Sequence, residues 1–495
     1  MHVIGLDIGT TSTKAVVFTL QGKVISEHAV EYPIFTPSPA WAEQDPEQIL
    51  RAAEEAIRVA VEKSATTAFL GVGISSAMHS LLLMDEQGSP LTRTIIWADN
   101  RSIHQSEKLL LSQGREIYLR TGTPIHPMSP LSKILWFKEE QPELFTQVHK
   151  FISIKDYLLY RWFGRYVIDY SLASATGLFN LEQLDYDTEV LQLLGIHKDQ
   201  LPDPVPTTHV LQGMNPEHAR AMGIGEDMPF VIGGSDGCLA NLGIGAMEKG
   251  DVAITIGTSG AIRTVVPEPL TDTQMRTFCY ALADKQWVIG GPTNNGGILL
   301  RWFRDQFAPG ASYDELAAEA AIAGIGSGGL LCLPYLSGER APIWNADARG
   351  CFFGMALHHQ RGHFVRAAME GVIYSVYSVG KALQDLSGDF RSVRASGGFV
   401  QSPLWCQILS DIFGAPVEIP ESHQSSSWGA ALLVLYALGE MDRLDAYKDQ
   451  VPIRQTYLPN PLHHQQYQSL YEIYQEVYTS LEGSFGKIAT YQRRL

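Results

Sequence analysis

Two stretches of this chain set small hydroxyl residues in a glycine turn between strands. In "GLDIGTTSTKAVVF" (5–18) the turn follows Asp7, and in "ITIGTSGAIRTVV" (254–266) it follows Thr255 when Gly9 is laid on Gly257. Glycine leaves no side chain between the backbone and a ligand. The amides and hydroxyls of Thr10, Thr11, Ser12 and Thr13 then suit phosphate oxygens, and Lys14 adds a point charge. Asp7, at the strand end, suits Mg²⁺ held through water. One such hairpin is also an ordinary tight turn. Two of them fit one polyphosphate gripped from both sides, with a metal carboxylate needed only once.

A third stretch, "VIGGSDGCLANLG" (231–243), is an apolar strand ending in two glycines, with Asp236 where a helix should begin. An aspartate there caps the helix, and the helix N-terminus keeps it ionised. An ionised carboxylate beside a bound hydroxyl accepts its proton as a phosphoryl group transfers. A fourth, "ASGGFVQSPLWCQILSDIFGAPV" (395–417), reads strand, Gly-Gly turn, helix and Gly-Ala-Pro stop. Such a turn admits a flat base close to the backbone, and is equally a common strand-to-helix connection. GxxxxGK[ST] is absent, and so is a GxGxxG followed by a ribose-binding acid, which excludes a Walker A loop and disfavours a dinucleotide oxidoreductase.

The elements that position these residues follow from pattern and punctuation. Residues 1–33 read as three strands joined by tight turns, and 45–64 as an amphipathic helix capped by Asp45 with Pro46 at its first position. Strands and helices alternate to about residue 245. The pattern then restarts with "DVAITIGTS", "AIRTVVP" and "QWVIGGP", followed by the helix "GGILLRWFRDQF". This repeat predicts two similar α/β domains, 1–245 and 246–495, with a cleft between them and a hinge near residues 243–252, where "GIGAMEKGD" links the halves. A helix is expected from about 461, its stripe of Tyr467, Leu470, Tyr471, Tyr474, Val477, Tyr478 and Leu481 serving as core.

The net charge of −16 argues against nucleic-acid and anionic-membrane surfaces as partners. Five scattered cysteines read as reduced thiols of a cytoplasmic protein. The N-terminus enters a strand at once, leaving no room for a signal peptide, and the longest apolar run, "AALLVLYALG" (430–439), is too short to span a bilayer.

With the hairpins, "WADNR" (97–101), "MSPLSKILWFKEE" (128–140), "PYLSGERAPIW" (334–344) and "GCFFGMALHHQRGHFVRAAME" (350–370) stand in one order along the chain. In these motifs the chain resembles the FGGY carbohydrate kinases, of the actin, Hsp70 and sugar-kinase superfamily. The resemblance implies an α/β fold of two ribonuclease H-like domains around a central cleft, and ATP-dependent phosphorylation of a sugar. The segments "SSAMHS" (75–80), "RTGTPIHPMSPLSK" (120–133), "DYSLASATG" (169–177) and "VIGGPTNNGGILLRW" (288–302) resemble members acting on the sugar acid gluconate. Xylulose or another pentulose or polyol is the alternative, and an actin- or Hsp70-like ATPase the remote one. The Arg-Glu pair of glycerol kinases is absent from 77–80.

The resemblance also implies roles. Asp236 is the catalytic base, and Mg²⁺ associates with Asp7 and Asp236. Thr10, Thr11, Ser12 and Lys14 form a first phosphate loop, with lysine where some members have the bidentate fork of arginine. Thr258 and Ser259 form a second. Gly297 and Arg301 approach the nucleotide; Gly397, Gly398 and Ser402 match the adenosine segment, with serine where some members have asparagine. Met78 and His79 face the sugar. Arg101, Lys155, His79 and His126 are the candidates to meet a sugar carboxylate, although His126, between prolines, equally caps a loop. A homodimer is expected of the family; no sequence feature defines its interface.

Overall fold

The computed structural model describes residues 1–283, 285–421 and 424–493. They form two compact units that interleave along the chain. The first comprises Met1–Met247, Val266–Val288 and Gln424–Gln450, and the second Glu248–Val265, Ile289–His423 and Val451–Leu495. The division near residue 245 marks only the first of five crossings.

The first unit is built on strands β1 (His2–Ile8), β2 (Ser12–Thr19), β3 (Val24–Glu31), β4 (Phe69–Ser76), β5 (Val210–Leu211) and β6 (Phe230–Ser235), ordered β3-β2-β1-β4-β6-β5. The three central strands β1, β4 and β6 run parallel, and β2 and β3 fold back antiparallel. Alternation along β1 sends Ile4, Leu6 and Ile8 into one core with Ile49, Ala53 and Ile57 of the helix Pro46–Ser64. That helix starts as expected: Asp45 accepts from the amides of Glu47 and Gln48, and Pro46 stands first. Burying an isoleucine such as Ile57 contributes roughly 1.5–3 kcal/mol.

Gly5 lies on the other face of β1, against the helix Ser425–Ala437. A Cβ added there would stand 2.0 Å from the Ser427 carbonyl oxygen, and one on Gly73 of β4 2.1 Å from that of Ala430. Glycines at both positions thus let this helix, apolar on every side, lie directly on the sheet backbone. The same helix packs on Asp236–Gly243, where a Cβ on Gly429 would meet the Leu239 carbonyl at 2.0 Å.

The second unit repeats the plan. Six neighbouring strands of a seven-stranded sheet follow it: β7 (Asp251–Ile256), β8 (Gly260–Val266), β9 (Gln286–Thr293), β10 (Ser392–Ser396), β11 (Val417–Pro420) and β12 (Ile453–Tyr457), ordered β9-β8-β7-β10-β11-β12. Here β7, β10 and β11 are the parallel centre. The C-terminal helix, Pro461–Gln492, packs Tyr467, Tyr471 and Tyr474 on Tyr374 of the helix Arg361–Ser387. Among the described residues no helix is long and apolar enough to cross a membrane. Among the described residues no disulfide joins the five cysteines, of which four are buried and Cys351 is partly exposed.

Candidate active site

In the first unit, strand register brings three chain segments to one level. Asp7 lies opposite Ser75 and Ile8 opposite Ser76, while Ser75 and Ser76 lie opposite Gly234 and Ser235. The Gly9 hairpin, the Ala77-Met78-His79 segment and Asp236 therefore leave adjacent parallel strands together, at spacings of about 4.8 Å. Ligands of parallel sheets gather at this carboxyl edge.

The hairpin is braced from outside. Tyr32 donates to the Gly9 carbonyl at 2.6 Å, Trp97 Nε1 to Thr10 Oγ1 at 2.9 Å, and Gln44 to the Thr10 carbonyl. Thr11 is exposed and Ser12 half-buried, while Thr13 is buried against Tyr32. Lys14 lies opposite Asp7 and donates to Gln424 at 3.3 Å. Asp7 accepts from Ser75 Oγ at 2.6 Å. Burial pushes its carboxyl above the usual range, against the pull of that hydroxyl and of Lys14. Among the described residues no group of three or more His, Cys, Asp or Glu side chains could hold a metal.

Asp236 opens the helix Asp236–Gly243, but the cap is Ser235, whose Oγ accepts from the Cys238 amide. The aspartate expected at the cap is the first helical residue instead. It is half-buried, and Oδ1 accepts from the Gly237 amide at 2.7 Å.

His79 sits at φ 67°, its Nδ1 2.8 Å from the Ala175 carbonyl and its ring edge-on to Tyr280. Met78 packs half-buried on the neighbouring core. Two candidates for a sugar carboxylate are engaged elsewhere. Arg101, 3% exposed, pairs with Asp99 at 2.8 Å and Glu43 at 2.6 Å and lies over the Trp41 ring. Lys155 is buried with Asp169 at 2.5 Å and donates to the Ile232 carbonyl. His126 Nδ1 accepts from the Met128 amide at 3.1 Å, the loop-capping arrangement. Sequence reasoning passed over Lys133, a buried ammonium within "MSPLSKILWFKEE" that donates to the His79 carbonyl at 2.6 Å.

In the second unit a cavity of about 530 Å³ gathers Thr258, Gly297, Arg301, Gly398 and Ser402 among its lining; Ser259 and Gly397 are not part of it. Its walls are largely apolar, with Ile298, Leu300, Met369, Phe399 and Trp405 among the lining side chains. Tyr313, Asp314 and Gln401 add polar groups that were not singled out in the sequence, although Gln401 stands inside the Gly-Gly segment. Gly397, at φ 99°, supports the site from behind, since a Cβ there would meet the Ile256 carbonyl at 2.4 Å. Ser402 Oγ caps the helix Pro403–Phe413 through the Trp405 amide. Gly297 donates to the Gly257 carbonyl at 2.7 Å and Gly296 to that of Thr258 at 3.0 Å, fastening the second hairpin to the helix Gly297–Phe307. Glu339 holds this junction: it accepts from the Asn294 and Arg340 amides, Asn295 and Ser375. Burial pushes its carboxyl up to about 7 despite those donors.

Residues 2–243 match the N-terminal domain of the FGGY family of carbohydrate kinases, and residues 252–438 the C-terminal domain. Gluconokinase of Bacillus subtilis (strain 168) is 47% identical over 506 residues, covering 100% of this chain and 99% of that protein. Xylulose kinase of the same strain is 30% identical over 484 residues, covering 97% of each. Among solved structures, gluconate kinase from Lactobacillus acidophilus superimposes with a TM-score of 0.96 at 36% identity, covering 98% of this chain and 99% of that one.

Proposed function

We propose that this chain, which belongs to the FGGY family of carbohydrate kinases and is an ATP-dependent sugar kinase, acts on gluconate: D-gluconate + ATP → 6-phosphogluconate + ADP. The carrying observation is the full-length identity to a gluconokinase, 47% against 30% for a xylulose kinase. Asp236 accepts the proton of the terminal hydroxyl as its oxygen bonds to the γ-phosphorus and the bond to the ADP oxygen breaks. The helix N-terminus at Asp236 favours its ionised form. Thr10, Thr11, Ser12 and Lys14 in one hairpin, and Thr258 and Ser259 in the other, supply donors to phosphate oxygens. Mg²⁺, held through Asp7 with Asp236 at the same sheet edge, neutralises phosphate charge when bound. Gly297, Arg301, Gly398 and Ser402 frame the nucleotide, while Gly397 shapes the turn behind them. With Arg101 and Lys155 engaged by carboxylates and His126 capping its own loop, His79 is the candidate to meet the sugar carboxylate, beside Met78.

The test is ADP release with Mg-ATP across gluconate, xylulose, ribulose, glycerol and no sugar. Gluconate should exceed the others, and Asp236→Asn should lower kcat by about 10²–10⁴ with gluconate binding retained. Faster turnover with xylulose would replace the substrate assignment; full activity in the variant would remove Asp236 as base.

A further inference from the structure

Lys133 lies in the helix Pro130–Glu140, wholly buried. An ammonium has three donors, and here three backbone carbonyls accept: His79 at 2.6 Å, Ile96 at 2.9 Å and Ile95 at 3.4 Å. Each belongs to a segment leading into the site. His79 holds a left-handed backbone, φ 67°, which a non-glycine residue keeps only where its surroundings enforce it. Ile96 precedes Trp97, whose indole holds Thr10 of the first hairpin. One ammonium therefore ties the Met78-His79 segment to the strut behind the phosphate hairpin.

We infer that Lys133 is a positioning residue, which sets His79 and the Trp97–Thr10 contact in register so that sugar and phosphate hairpin stay aligned. This rests on the reading of His79 as facing the sugar. Burial lowers the lysine to about 7, with Asp99 raising it and Arg101 lowering it further. Asp99 and Arg101 are the charged groups that act on it, and His79, whose carbonyl it binds, carries a titratable imidazole. The protonated form binds three carbonyls. The neutral amine, prevailing as pH rises through that value, has one donor fewer, so the clamp loosens on the alkaline side.

The experiment measures KM for gluconate and for ATP in wild type, K133M, K133R and H79Q between about pH 6 and 9. K133M should raise the gluconate KM about tenfold at the acidic end, the worth of one charge-assisted hydrogen bond, with a clearly smaller rise in the ATP KM through the Trp97–Thr10 contact. Wild type should show a gluconate KM that climbs with pH. K133R, charged throughout, should recover most of the affinity and lose that climb. An unchanged gluconate KM in K133M, or equal rises for both substrates, overturns the inference; so does a climb that persists in K133R, which decides the matter if K133M does not fold. H79Q separates the premises. A wild-type gluconate KM there removes His79 from the sugar site, whereas a raised one beside an unaffected K133M removes only the role of Lys133.

Discussion

In the first sheet Asp7 accepts a hydrogen bond from Ser75 at 2.6 Å; at the matching point of the second, Thr255 shares one with Ser396 at 3.1 Å. Both serines stand at the same register on the parallel neighbour, Ser75 opposite Asp7 and Ser396 opposite Thr255. Both hairpins close through their glycine amide, Gly9 on Ser12 and Gly257 on Ser259. The duplicated scaffold thus keeps the closing glycine, the hydroxyl partner and the strand order, but shortens the turn by one residue and sets Thr255 opposite Ala261 where the first hairpin sets Asp7 opposite Lys14. A polyphosphate brings several negative charges, and each added carboxylate helps only where a cation offsets it. One half carries the carboxylate; the other carries a hydroxyl of similar bulk.

Four substitutions sharpen that contrast or break it. The largest effect is expected from Asp7→Asn, which should lower kcat by about 10²–10³ while leaving the fold intact. Burial raises the folded-state pKa of Asp7, so its ionised form costs stability at neutral pH, and that cost fades as pH falls through the folded value toward 3.8. Melting curves should therefore place D7N at or above wild type near neutrality, with the gap closing in acid. A D7N enzyme of full activity would erase the distinction between the hairpins. Thr255→Asp comes next. A second half-buried carboxylate beside Ser396 should raise the ATP KM about tenfold and cost roughly 1–2 kcal/mol in denaturant titrations. Unchanged nucleotide affinity would mean that the charge at this position is immaterial. The smallest effect is the most selective. Ser75→Ala removes the donor that lowers Asp7, so the acidic limb of kcat should move to higher pH, whereas Ser396→Ala should leave it in place. Equal shifts would deny Asp7 its special part.

Much of this was legible in the chain because it is local. A Gly-Thr turn between β-rich runs, an Asp-Pro start and a Gly-Gly strand end each carry their geometry within a few residues. The family motifs brought function within reach in the same way. What escaped depends on distant partners. Arg101 looks available until Glu43, 58 positions away, closes on it. Lys133 looks like one more polar residue of a helix until three carbonyls from two other segments converge on it. The cap at Ser235 escaped because a Ser-Asp pair offers two capping residues in a row, and only the entry angle of the chain selects between them.

The late return of the chain to its first unit has a consequence for biosynthesis. The face of β1 and β4 that carries Gly5 and Gly73 is covered by Ser425–Ala437, and the ribosome makes that helix only after most of the second unit. At ~5–20 residues per second, the interval from Met247 to Gln424 is on the order of ten to forty seconds. Throughout it the nascent N-terminal portion presents an uncovered sheet backbone. Its folding is thus finished only late in translation or after release.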